Sequence, residues 1–215
     1  MESHDPPRSF AAVWQGAALE VGAEGETLRT FLNRLDGRAH GALALILGIV
    51  LLLPVRWVLP QIAGLLLLAS GWRSFAGSAA PFLPFIGGRQ IAKPRLEAAG
   101  AFINGQSWIS GLSPPRLDGL TQGFAQQAQS IALIVAGLAA CVPATHFLLG
   151  LALIILGMGT AQRDGAASLA GIAATFAASV FTLTMVAGTA AGAPFAAAWG
   201  HENLSFFSAP AKPAP

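Results

Sequence analysis

Long apolar runs alternate with polar segments along this chain, and two of the runs are broken by proline. The first run covers residues 41–71 and contains Pro54 and Pro60, and the second covers residues 131–159 and contains Pro143. In the first run, the helical legs beside the prolines are short, about 20 Å or less, against a hydrocarbon thickness of about 30 Å. Two structures fit such a run: a tight hairpin of short helices that enters and leaves on one side, or one long helix kinked at its prolines.

A third apolar run, residues 166–191, carries no charged residue and predicts a long C-terminal transmembrane helix. Small residues recur in it at a spacing of four, as in Ala167 with Gly171 and Ala170 with Ala174. Small faces let helix backbones approach closely in lipid. We therefore expect this face to contact other protein, either in a homo-oligomer or with other membrane-protein subunits.

The polar segments divide the rest of the chain. Apolar residues at positions 28, 31, 32 and 35 predict an amphipathic surface helix over residues 26–40. Such a helix lies on the membrane surface or docks onto a partner helix, and the pattern fits both. The remaining boundaries are a flexible leader at 1–25, a first proline-broken hairpin at 41–77, a polar, interfacial middle segment at 78–128, a second proline-broken hairpin at 129–165, and a Pro/Ala-rich tail at 192–215.

Composition supports a membrane environment. Hydrophobic residues make up 54% of the 215 positions and charged residues 10%, whereas a soluble domain carries roughly a quarter charged residues. The predicted fold class is therefore an all-α polytopic membrane protein, with the lipid bilayer as its first partner. No basic cluster with interleaved aromatic residues is present, which argues against nucleic acid as a partner.

Positive residues lie on both sides of the first apolar run, and positive loops stay in the cytoplasm. An even number of crossings, or a re-entrant hairpin, satisfies both sides, whereas a single kinked helix does not. The pattern predicts a multi-pass protein of the bacterial inner membrane with a cytoplasmic N-terminus and a periplasmic C-terminus. The residues concerned are Arg29, Arg34 and Arg38 before the run, and Arg73, Arg89, Lys93 and Arg95 after it.

The two broken runs resemble each other. Residues 43–46 match residues 131–134 at a separation of 88, and Gly71 matches Gly159 at the same separation. Pro54 pairs with Pro143 if one residue is inserted. These matches predict an internal repeat. Paired, proline-interrupted apolar segments are typical of transporter-like sites, because a broken helix leaves backbone groups free to bind an ion or solute.

A titratable or charged residue follows each break, so the candidate membrane site comprises Pro54, Arg56, Pro143 and His146. An arginine at membrane depth costs roughly 2.5–3.5 kcal/mol on insertion scales, which suggests a functional reason for its presence. The alternative is that both breaks are loop tips at the far interface. Arg56 would then reach the headgroups beside Trp57, and His146 would be a loop histidine.

Catalytic and metal-binding patterns are missing from the sequence. It contains no Gly-x-Ser-x-Gly, no Gly-rich phosphate loop and no Cys/His cluster with metal-ligand spacing. We therefore predict no enzyme activity, no cofactor and no metal, with a membrane-embedded enzyme as the third-ranked alternative.

Five short motifs occur in order along the chain: Arg38-Ala39-His40-Gly41, the first proline-broken run, Pro81-Phe82-Leu83-Pro84, Pro115-Arg116-Leu117, and Leu156-Gly157-Met158-Gly159 followed by Arg163-Asp164-Gly165. In their order and spacing they resemble the ExoD family of bacterial inner-membrane proteins, over roughly residues 25–190. This resemblance implies a role in exopolysaccharide production and, in some members, in growth at alkaline pH. Two features depart from the family: fewer basic residues follow Pro84, and Ala144-Thr145-His146 replaces a Phe-Gly-Asn type turn.

Two functions are compatible with these features. The first is an ExoD-like protein that supports exopolysaccharide production or envelope ion balance at alkaline pH by moving an ion or small solute through re-entrant hairpins. The second is an accessory subunit of a larger membrane complex with no activity of its own.

Overall fold

The computed structural model describes residues 9–35, 37–53, 58–84, 86–105, 123–142 and 146–191. Within these ranges the chain is helical apart from two short strands, which confirms the predicted all-α class. The helices are α1 Phe10–Leu19, α2 Leu28–Asn33, α3 Arg38–Leu52, α4 Leu59–Phe75, α5 Lys93–Gly105, α6 Phe124–Ala140, α7 His146–Gln162 and α8 Gly165–Ala190. Strands β1 Glu26–Thr27 and β2 Gln90–Ile91 pair antiparallel.

Helix α8 matches the predicted final helix to within one residue at each end. It begins at Asp164, whose Oδ1 accepts hydrogen bonds from the backbone N–H groups of Ala166 and Ala167 at 3.1 and 3.2 Å. Its 26 residues rise about 39 Å, which exceeds the thickness of a bilayer core. Among the described residues, α8 alone is long and apolar enough to cross a membrane.

Helices α3 and α7 pack against each other through glycines. A Cβ atom added to Gly48 would lie 2.9 Å from the carbonyl oxygen of Gly150, and one added to Gly157 would lie 2.5 Å from the backbone nitrogen of Leu45. Side chains of ordinary size therefore do not fit between the two backbones. The contact partners run in opposite directions along the chain, so the helices are antiparallel.

Helices α4 and α6 form a second contact of the same kind. A Cβ atom added to Gly64 would lie 2.8 Å from the carbonyl oxygen of Gly137, and one added to Gly71 would lie 2.8 Å from that of Ser130. Helix α8 packs outside these pairs, where its Gly171 lies directly against the backbone of Leu156 in α7.

Buried positions repeat between the segment α3–α4 and the segment α6–α7. Their separation along the chain differs from the one that matching residue types in the sequence suggest. Between α3 and α6 the separation is 89 rather than 88, the separation of Pro54 from Pro143. The matching buried residues are His40 and Gln129, Gly41 and Ser130, Ala44 and Leu133, Leu47 and Ala136, Gly48 and Gly137, and Leu51 and Ala140. Between α4 and α7 the separation is 86, with Ala63 and Leu149, Gly64 and Gly150, Leu67 and Leu153, Ser70 and Leu156, and Gly71 and Gly157.

The N-terminal region forms a second hydrophobic core instead of the expected flexible leader. Residues 10–19 are helical, and Trp14 contacts the ring of Phe31 with 4.8 Å between centroids. The indole Nε1 of Trp14 donates to the carbonyl oxygen of Leu96 in α5 at 2.9 Å. These contacts bury aromatic side chains that a leader would expose, and they explain why residues 10–19 are ordered.

The surface helix predicted over residues 26–40 is not a single helix in the structure. Residues 26–40 divide into β1, α2 and the start of α3. Phe31 and Leu35 are fully buried in the N-terminal core, so the apolar face is covered by the chain's own α1 and α5. The face that was predicted to lie on the membrane surface or on a partner helix is therefore buried within the chain. The tail at 192–215 lies outside the described residues.

Candidate functional site

The predicted membrane site lies largely outside the described residues, which exclude Pro54, Arg56 and Pro143. His146 is described as the first residue of α7. It is partly buried, and its Nε2 lies 3.2 Å from the carbonyl oxygen of Ala140 at the end of α6. The structure thus places His146 at the break between α6 and α7, and its relation to Arg56 stays a prediction.

Polar residues gather at the opposite end of the helices. The starts of α3, α6 and α8 meet the ends of α4 and α7 there, and this end carries Arg38, Arg73, Arg163 and Asp164. From His146 to Thr160 along α7 the helix rises about 21 Å. The charged end and the predicted break are therefore separated by most of the length of the helices.

At the charged end lies a cavity of about 240 Å³, here called the polar cavity. Its polar lining comes from four segments: Arg38 and His40 of α3, Ser74 of α4, Gln126 and Gln129 of α6, and Thr160 with Arg163 at the end of α7. Leu133 and Leu156 form its apolar floor. The polar cavity joins residues that are far apart in sequence, so only the packing of the helices creates it.

The walls of the polar cavity are held by buried hydrogen bonds. Gln129 Nε2 donates to Ser168 Oγ at 2.6 Å, which ties α6 to α8. The hydroxyl oxygens of Ser130 and Ser74 lie 2.8 Å apart in a hydrogen bond, which ties α6 to α4. Arg38 Nη1 donates to the carbonyl oxygen of Ala161 at 3.4 Å, which ties α3 to α7. Such bonds restrict the relative positions of the helices around the cavity.

His40 is the exception to this pairing. Its side chain lines the polar cavity and is 4% exposed, yet its Nε2 has no hydrogen-bond partner among the described residues. A buried polar atom without a partner costs about 1–3 kcal/mol. The nitrogen atom is itself fully buried, so this cost stands in the fold at the edge of the polar cavity.

Two helices begin at the polar cavity behind glycine. Gly37 precedes α3 with φ 77°, and Gly123 precedes α6 with φ 60°. Both glycines line the cavity, and neither has a side chain that could accept from the first-turn N–H groups. The positive ends of two helix dipoles thus border the same space. At α8, by contrast, the carboxylate of Asp164 caps the N-terminus.

The polar cavity was not predicted from the sequence, although three of its lining residues stand in motifs that the sequence analysis had identified. Arg38, His40 and Arg163 stand in two of the motifs that carry the family resemblance, and the structure brings both motifs to the polar cavity. Each residue also flanks an apolar run, where charged groups are common. For a metal, the described residues contain no group of three or more His, Cys, Asp or Glu side chains that could serve as ligands.

Comparison with known proteins gives one match. The sequence profile of a family described as "Exopolysaccharide synthesis, ExoD" matches residues 15–184, which run from α1 into α8. The match includes both helix pairs and every residue that lines the polar cavity. No curated protein and no solved structure matches the chain.

Proposed function

The chain belongs to the ExoD family, and from this premise we propose that it is a multi-pass inner-membrane protein that supports exopolysaccharide production or envelope ion balance by moving an ion or small solute. The observation that carries this proposal is the polar cavity, which lies among apolar helices at their charged end. A polar pocket recessed into such a set of helices serves a solute better than it serves stability. We propose no catalytic role for it.

The outer surfaces of the helices support the membrane location. Large apolar side chains are exposed on all four paired helices and on α8, whereas soluble monomers rarely expose wide contiguous apolar surfaces. Hydrocarbon is the solvent that suits such a surface, and lipid would contact each helix. Examples are Ile46 in α3, Leu65 in α4, Leu138 in α6, Phe147 in α7 and Val180 in α8.

The positions of the arginines support the orientation. Arg38, Arg73 and Arg163 all lie at the end of the helices that carries the polar cavity, and positive residues favour the cytoplasmic side. We therefore assign the cavity and the N-terminal core to the cytoplasmic side. Helix α8 starts at the same end, so it would carry the C-terminus to the periplasm.

Helix length supports re-entrant hairpins. Helices α3, α4, α6 and α7 have 15 to 17 residues and rise about 23–26 Å, less than a hydrocarbon core of about 30 Å. A hairpin formed by α3 and α4, and another formed by α6 and α7, are therefore short enough to end within the membrane. Arg56 and His146 would then stand below the far interface, at the inner end of a path that starts at the polar cavity.

Arg56→Ala and His146→Ala are expected to abolish function in the cell. In a strain that lacks the chromosomal copy, each variant should restore neither exopolysaccharide yield nor growth at alkaline pH, because each removes the polar group at one break. Arg95→Ala, which alters an exposed arginine of α5, is the matched control and should restore both. Immunoblots of membranes check that all variants are present. If both break variants restore growth and yield, the breaks are structural only.

The alternative function is an accessory subunit, and the surface of α8 favours it. Gly171 of the predicted small-residue face packs inside the chain, but Ala166, Ala170, Ala173 and Ala177 form an exposed line of small residues. A second helix could approach closely along this line. Ala173→Trp would then release a stoichiometric membrane partner from the purified complex, with exposed Leu183→Trp as the control. A stable, isolated homo-oligomer would count against the accessory role.

A further inference from the structure

The ends of α4 and α7 have the same backbone structure. In both, the chain leaves the helix through a residue of positive φ, and the next residue donates a hydrogen bond back to the last turn. Equivalent residues are 86 positions apart, so the register that relates the buried positions of the two helices extends through this turn. The backbone N–H to carbonyl bonds are Gly77 to Ser74 (3.0 Å) and Ser78 to Arg73 (2.8 Å) after α4, and Arg163 to Thr160 (3.3 Å) and Asp164 to Gly159 (2.8 Å) after α7.

The two turns differ in the residue type at the positive φ. Gly77 has φ 82° and Arg163 has φ 55°. Glycine adopts this region without a steric cost, whereas in other residues the Cβ atom comes too close to the following carbonyl oxygen. Of the residues that the structure describes, Arg163 is the one non-glycine residue with a positive φ. The fold therefore has an unstrained glycine at this turn after α4 and a strained arginine after α7.

The strained residue lies at the polar cavity. Arg163 lines the cavity together with Thr160 of the preceding turn, whereas Gly77 is exposed and does not belong to the described lining. Strained backbone conformations cluster at binding sites and active sites, where the surrounding structure holds a side chain in a place that function requires. At this turn, a side chain is thus present where it lines the cavity and missing where it does not.

We propose that Arg163 is a functional residue whose side chain contacts the solute that enters the polar cavity. This inference rests on the proposed function and deepens it, because it names a residue that meets the solute. An arginine side chain offers hydrogen-bond donors and no acceptor, so the part of the solute that it contacts carries an acceptor such as an oxygen atom. Arg163 also has an interaction within the chain. The competing explanation is therefore structural: that interaction alone would compensate for the strain.

Arg163→Gly and Arg163→Asn separate the two explanations. Glycine and asparagine tolerate a positive φ, and both substitutions remove the guanidinium group. We expect the midpoint of thermal unfolding to stay at the wild-type value or to rise by up to about 4 °C, because strain is relieved. In a strain that lacks the chromosomal copy, neither variant should restore exopolysaccharide yield or growth at alkaline pH. Unfolding of the purified full-length protein in detergent is followed by tryptophan fluorescence, and immunoblots of membranes check that the variants are present.

Gly77→Ala is the matched control at the equivalent turn. A Cβ atom added to Gly77 would meet no atom within 4 Å, so this substitution adds backbone strain and no contact. The midpoint of thermal unfolding should fall by about 2–4 °C, while exopolysaccharide yield and growth at alkaline pH are kept.

Three results would overturn the inference. Restoration of yield and growth by Arg163→Gly would show that function does not need the side chain. A midpoint below that of the wild type in both Arg163 variants would make the residue structural, and an unchanged midpoint in Gly77→Ala would remove the premise of strain. Failure of the wild-type gene to restore yield or growth would instead refute the proposed function itself, so the two kinds of failure are distinguishable.

Discussion

Gly157→Ala should destabilise the protein, whereas Gly16→Ala should leave its stability unchanged or raise it. The added methyl group at Gly157 would lie 2.5 Å from the backbone nitrogen of Leu45 and 2.7 Å from the carbonyl oxygen of Gly41. Backbone atoms of α3 cannot turn aside as a flexible side chain can, so the two helices must separate. Overpacking of this kind costs about 1–3 kcal/mol.

At Gly16, substitution by alanine adds the same methyl group, but the group contacts no neighbouring helix. It lies exposed within α1, and an added Cβ would meet no atom within 4 Å. Alanine is favoured over glycine in a helix by up to about 1 kcal/mol, which sets the sign of the control. Thermal unfolding of both variants in detergent, followed by tryptophan fluorescence, provides the comparison. Equal midpoints for the two variants would contradict the close packing of α3 and α7.

The glycine contacts explain how short helices form a tight set. In lipid, helices gain little from excluding water, and backbone-to-backbone packing contributes instead. The same contacts shape the polar cavity, because Gly41 lines it and an added Cβ there would meet the backbone of Ala161 at 2.6 Å. Substitution of Gly41 would therefore disturb stability and cavity together, which makes Arg163 and His40 better probes of the site.

Much of the fold follows from local sequence patterns. Proline and charge mark the ends of the long helices, and the start of α8 at Asp164 is a capping signal that can be read directly. The packing of helix α1 against the rest of the chain could not be predicted in this way. It depends on contacts such as Trp14 with Leu96, which are 82 positions apart. Local periodicity carries no information about such contacts.

The register of the repeat shows a related limit. Separations of 88 and 89 both align apolar letters, and only burial distinguishes them, since His40 and Gln129 both lie inside at a separation of 89. The polar cavity could not be predicted in this way either, because Arg38 comes from α3, Gln129 from α6 and Arg163 from the turn after α7. The break residue Arg56 was conspicuous because it interrupts an apolar run. The sequence pattern thus indicated Arg56, whereas the packing of the described helices brings Arg38, Gln129 and Arg163 together.

Single cysteines at positions 56 and 146 should be protected, or be labelled from the cytoplasmic side only. In a Cys141→Ser background, a membrane-impermeant maleimide is applied to each side of sealed vesicles. Protection is expected because helices α3, α4, α6 and α7 are too short to carry both breaks across a full hydrocarbon core. Gly88→Cys, exposed in the loop before β2, should be labelled freely from the cytoplasmic side and serves as the orientation control.

The two labelling patterns have opposite consequences for function. Restricted access from the cytoplasm would connect the breaks to the polar cavity, since the cavity lies at the charged end that positive residues assign to that side. Free labelling of positions 56 and 146 from the periplasm would make them loop tips. Arg56 would then reach headgroups at little cost, and no path would link it to the cavity. In that case the helix pairs are ordinary crossings, and the accessory-subunit role becomes the better supported of the two.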